Sequence, residues 1–123
     1  MTEVPRVLHD MQPVVADNLA VPAGVVWRLA ETGRQLDANV LNLSAGQAIG
    51  SHAEPDLDVL LVIVAGSGTM TTAGDPLLLL PGELVWMPRG STRSLTAGAD
   101  GLAYLTVHQR RPGMQIRTDP HRR

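Results

Sequence analysis

Short apolar runs recur at close intervals along this chain, each cut off by glycine or proline. They cover residues 25–30, 36–43, 59–65, 68–72, 76–80, 84–87 and 102–108. Regular short strands with turn signals between them predict an all-β sandwich or barrel. No window carries a 3.6-residue apolar period of helical length. Residues 77–80 are four leucines with high helix propensity, but Pro76 and Pro81 enclose them and the stretch is too short for a helix. Gly66-Ser67-Gly68 reads as a hairpin turn, because glycine enters positive φ at little cost.

The run at 59–65 (VLLVIVA) does not alternate. It is apolar at every position, so its strand is expected to be buried on both faces. In a barrel this small, a second subunit most easily supplies the second cover, which predicts a homodimer. Residues 1–24 hold no clear strand before Val14 and read as an N-terminal arm, packed on the partner or loose. Residues 36–108 read as the core barrel and 112–123 as a polar C-terminal tail. No repeat or linker interrupts the chain, so its 123 residues are read as one domain.

Composition narrows the function classes. The formal net charge is −2, which gives no electrostatic reason to expect a nucleic-acid partner. Cysteine is absent, which removes disulfides, thiolate nucleophiles and Cys-based zinc sites. Lysine is absent too, so the Gly66-Ser67-Gly68 stretch cannot be a Walker-type phosphate loop. No stretch approaches the roughly 20 apolar residues of a membrane span. The opening MTEVPRVLHDMQ lacks the apolar core of a signal peptide. A soluble, cytoplasmic protein is expected.

Candidate chemistry gathers between residues 46 and 93. The first block reads G-x5-H-x-E-P-D-L-D-V-x6-G and the second G-E-x4-P-R-G-S-T-R. These blocks resemble the two motifs of the cupin superfamily, whose usual forms are Gly-x5-His-x-His-x3-4-Glu-x6-Gly and Gly-x5-Pro-x-Gly-x2-His-x3-Asn. Gly46, His52 and Gly66 match the first, and Gly82, Pro88 and Gly90 match the second. The resemblance implies a cupin-type jelly-roll β-barrel (a double-stranded β-helix), dimerised through an outer sheet face. The ligand positions depart from the pattern: Glu54 stands for the second histidine, Arg93 for the motif-two histidine and Ala97 for the closing asparagine. Counting back from Gly66 puts the motif glutamate at Val59; counting on from Glu54 puts it at Asp58. A one-residue slip reverses every side chain of a strand, so Val59 is expected inside and Asp58 at the rim.

Arg93 decides the chemistry expected of this site. Guanidinium has no lone pair to offer a cation and stays charged. Two unit charges 4 Å apart interact by about 4 kcal/mol at an effective dielectric of 20, and a divalent ion would feel roughly twice that as repulsion. No cofactor is therefore expected. The barrel is read as a site for a small polar or anionic organic molecule, without the usual tri-histidine metal. Arg93 would anchor the ligand, paired with Glu54 when the pocket is empty. His52 and Glu54, on one strand face, form the candidate proton-transfer pair for isomerase, epimerase or cyclase-type chemistry. Trp86, Tyr104 and His108 are candidate ligand contacts. Two alternatives stand beside this reading: a metal-dependent cupin drawing a divalent ion to His52, Glu54, Asp58 and His108, and a non-catalytic binding module. Each residue also has a plainer role: His52 bonded to a carboxylate at the barrel mouth, Glu54 as a solvated strand-end charge, Arg93 on a surface turn, Trp86 and Tyr104 as packing.

Overall fold

Seven strands carry the apolar runs: β1 (Gly24–Arg28), β2 (Leu36–Leu43), β3 (Ala48–Ala53), β4 (Val59–Thr72), β5 (Leu77–Leu79), β6 (Leu84–Met87) and β7 (Thr92–Gln109). A five-residue helix, α1 (Gln12–Ala16), and one 3-10 turn precede them. The computed structural model describes residues 4–111, so the tail assigned to 112–123 lies outside them. No described helix is long and apolar enough to cross a membrane.

All pairings are antiparallel. β4 and β7 run side by side from Val59↔His108 to Thr72↔Arg93. The first half of β4 also pairs with β6 and its second half with β5. β7 pairs with β3 through its first half and with β2 through its second. Register shifts at Ile63/Ala65 and Gly66/Gly68 bend this ribbon, which lets its two halves face each other. One core cluster accordingly joins Leu61, Ile63 and Leu102 from one half to Met70, Leu95 and Ala97 from the other. This is an all-β jelly roll. β1 extends the sheet beyond the 36–108 span expected from sequence.

The expected hairpin at Gly66-Ser67-Gly68 is not there: those residues lie inside β4, at its bulge. Gly66 does have a positive φ, +75°, but its purpose is closeness. A Cβ at Gly66 would collide with the carbonyl oxygen of Gly101 on β7. The glycine serves two strands pressed together where they change layers.

Within the chain, residues 59–65 are fully buried on one face only; Leu60 on the other face is exposed and Val62 and Val64 are half-buried. Val59, Leu61 and Ile63 face the core, and the alternate residues face outward. The chain's own arm covers one end of that outer face: Val14 of α1 is fully buried and packs with Ala65, Ala103 and Val64. Asn42 and Asn18 pin the arm, with Asn42 Nδ2 donating to the Asn18 and Val21 carbonyls at 2.8 Å and Asn18 Nδ2 to the Asp100 carbonyl at 2.9 Å. At the other end Leu60 lies open opposite the exposed Trp86 of β6.

Candidate functional site

The barrel encloses a cavity of about 260 Å³. Its apolar wall includes Leu61, Val59 and Leu95, and its polar groups are His52, Arg93, Tyr104, Thr106, His108 and Arg111. Tyr104, Thr106 and His108 share a face of β7 because strand side chains alternate. β3 brings His52 opposite Arg93, their Cα atoms being direct cross-strand partners. Val59 is in the core, while Asp58 is outside it and accepts from the Arg89 backbone N–H at 2.9 Å and from its Nη1 at 3.4 Å.

Arg93 is only 5% exposed. The turn from Pro88 to Ser91 delivers it, held by Ser91 N–H and Oγ–H donating to the Pro88 carbonyl at 3.1 and 2.6 Å. Arg93 Nη1 donates to the Ser91 carbonyl at 3.1 Å and to its Oγ at 3.4 Å. Its Nε is buried and has no hydrogen-bond partner. Both acceptors are neutral, so a buried cation faces the cavity without an ion pair to a described carboxylate.

The expected Arg93–Glu54 pair does not form. Glu54 is buried, but its carboxylate pairs with Arg111 and accepts the Asp56 N–H at 3.0 Å. The Arg111 hydrogen bond, then that backbone donor, hold its carboxyl below the usual carboxylate range. Its backbone carbonyl also accepts Gly90 N–H at 2.7 Å. Glu54 is thus a clamp between the β3–β4 loop, the Pro88 turn and the end of β7. It is not part of the cavity wall, so it is poorly placed as the proton partner of His52.

His108, not Glu54, lines the cavity together with His52. Each imidazole donates Nδ1–H to a carbonyl, His52 to Gly50 at 3.0 Å and His108 to Gln109 at 2.7 Å. A carbonyl can only accept, so the neutral ring keeps its lone pair on Nε2 in both cases. Tyr104 adds a phenol whose pKa is pushed up by burial, and which makes no hydrogen bond to a described residue.

Trp86 was expected to wall the barrel and does not. Val85 and Met87 of β6 pack toward the core, so alternation turns Trp86 outward, 62% exposed. It borders a separate cleft beside β6. Sequence reasoning missed Arg111, which shares no strand period with His108, and Ser91. Outside the cavity, the His9 ring stacks on Trp27 with centroids 5.6 Å apart.

The residues present do not fit the metal that cupins often hold. Of His52, Glu54, Asp58 and His108, only the two histidines line the cavity. Among the described residues no group of three or more His, Cys, Asp or Glu side chains converges. Transition metals want three or more such ligands, and Arg93 puts a positive charge into the same cavity, opposite His52.

No family model matches this chain, and none of the curated proteins matches it. Solved structures do. A Bacillus halodurans protein superposes with a TM-score of 0.68 at 19% identity, over 88% of this chain and 86% of its own. A cupin-2 domain protein from Shewanella frigidimarina gives 0.61 at 16%, over 82% and 100%. KdgF from a Halomonas species gives 0.60 at 22%, over 72% and 81%. The chain has the fold of these proteins, a cupin-type jelly roll.

Proposed function

We propose that this cupin barrel binds a small organic anion, a carboxylate or phosphate, and moves a proton on it without a metal. The observation that carries this reading is Arg93. A buried charge without a counter-ion costs several kcal/mol, and an anionic ligand offsets that cost. His52 and His108 each present an Nε2 lone pair to the same cavity, which suits removal of a proton from the carbon beside the anionic group and its return elsewhere. Tyr104 supplies a neutral hydroxyl to a carbonyl oxygen gaining charge. The chemistry is that of an isomerase, epimerase or cyclase.

Tag-free protein tests this directly. It should carry well under one equivalent of transition metal and should bind inorganic phosphate or simple carboxylates in calorimetric titrations. Stoichiometric iron, zinc, nickel or manganese, lost in His52→Ala, would sink the reading in favour of a metal-dependent one.

The protein is further proposed to act as a homodimer. Leu60, Leu78 and Leu84 leave apolar surface exposed around β6, whose outer edge has no strand beside it among the described residues. Light scattering at micromolar concentration should give twice 13.1 kDa, with a total interface above roughly 1,000 Å². A monodisperse species at the single-chain mass would defeat this.

A further inference from the structure

The barrel cavity is not the only space that Arg93 bounds. A second cleft, of about 370 Å³, opens on the side of the barrel next to β6. Arg93 and Met87 line both spaces and stand as the partition between them. Beyond that partition the cleft is walled by Trp86, Leu77, Thr72 and Ser91.

The arginine head makes its hydrogen bonds to described residues on the cleft side. Its Nη1 hydrogen bonds go to Ser91, which lines the cleft and not the barrel cavity. Its buried Nε is left without a partner. One exposed indole would mean little, since isolated apolar residues are normal on surfaces. Here Trp86 borders the same cleft as a nearly fully buried, incompletely bonded cation. The chain has three aromatic residues beside histidine: Tyr104 lines the cavity, Trp86 the cleft, and Trp27 is occupied by His9.

We propose that the two spaces form one site for an aryl-substituted carboxylate, with the carboxylate on Arg93 at the partition and the aromatic ring in the lateral cleft against Trp86. This deepens the anion-binding reading and rests on it. A planar guanidinium suits the task, because it grips a carboxylate through two parallel N–H donors, which an imidazole cannot do. The ring gains by leaving water and by offset or edge contact with the indole. The carbon joining ring and carboxylate then lies at the partition, next to the chamber that holds His52 and His108.

A ligand ladder tests this: acetate, phenylacetate and 3-phenylpropanoate, titrated calorimetrically into the full chain. Phenylacetate should bind about tenfold tighter than acetate or better. Trp86→Ala should shrink that ratio to within about twofold, as expected when the stacking partner is gone. In a Trp27→Phe background Trp86 is the sole indole, and its emission should shift to the blue when phenylacetate saturates the site. The proposal is overturned if the ratio survives Trp86→Ala, or if the emission stays put at saturation. Equal affinity for acetate and phenylacetate refutes the cleft and leaves the anion site standing. Failure of every carboxylate to bind refutes both.

Discussion

Arg93→Met is expected to weaken carboxylate or phosphate binding by roughly 10- to 150-fold and, at the same time, to stabilise the empty protein. The binding loss is what removing a hydrogen bond to a charged group costs, on the order of 1.5–3 kcal/mol. The stability gain has a separate origin. Arg93 is 5% exposed, its Nε lacks a partner, and its two other contacts are to neutral oxygens of Ser91. Desolvation of the guanidinium is therefore only partly offset in the folded state. Methionine keeps much of the stem's packing, and replacing poorly paired buried charges with apolar groups stabilises by about 1–4 kcal/mol in favourable cases. Urea denaturation without ligand should move to a higher midpoint at an unchanged slope. A variant that binds anions as before and unfolds more easily would show that Arg93 is structural.

Gly66→Ala carries the largest expected loss of stability. A residue with a side chain in the left-handed region costs about 1–2 kcal/mol on its own. At this site the added Cβ would also collide with the Gly101 carbonyl oxygen and lie 2.8 Å from its carbon and 3.1 Å from the Leu102 Cα. All three are backbone atoms, so no side chain can swing aside. β7 cannot retreat either, because a Cβ built on Gly101 lies 2.7 Å from the Leu43 carbonyl of β2 behind it. The combined loss should exceed about 3 kcal/mol, a large share of the 5–15 kcal/mol typical of a domain. Gly82→Ala is the matched control, with φ +89° and nothing within 4 Å of the added atom. Thermal unfolding of Gly66→Ala should fall by roughly 10 °C or more. A drop no greater than that of Gly82→Ala would show that the strands have room to part.

The sequence alone determined the all-β architecture and several strands, but not β3, the first half of β7 or the continuity of β4 through Gly66. The run at 84–87 is β6 residue for residue, and 36–43 is β2, because nearby proline and glycine break the chain while apolar side chains favour an extended backbone. Of the two counts for the motif position, the one from Gly66 agrees with the structure, which puts Val59 in the core. The inward course of Arg93 was legible from its place after the Pro88-x-Gly90 turn. Tertiary structure decided how these pieces meet. Whether Gly66 makes a turn or a bulge depends on Gly101, which no local window contains. How much of the outer face of β4 is left open depends on α1, which covers one end of it with Val14. Glu54 looked like the counter-ion of Arg93 because both motifs point into one barrel; its carboxylate goes instead to Arg111, brought to the β3–β4 loop by the far end of β7. Local backbone preference is settled by nearest neighbours, and a short peptide already expresses it. A buried charge is settled by whichever groups arrive around it, and in an antiparallel barrel those come from strands far apart in the chain.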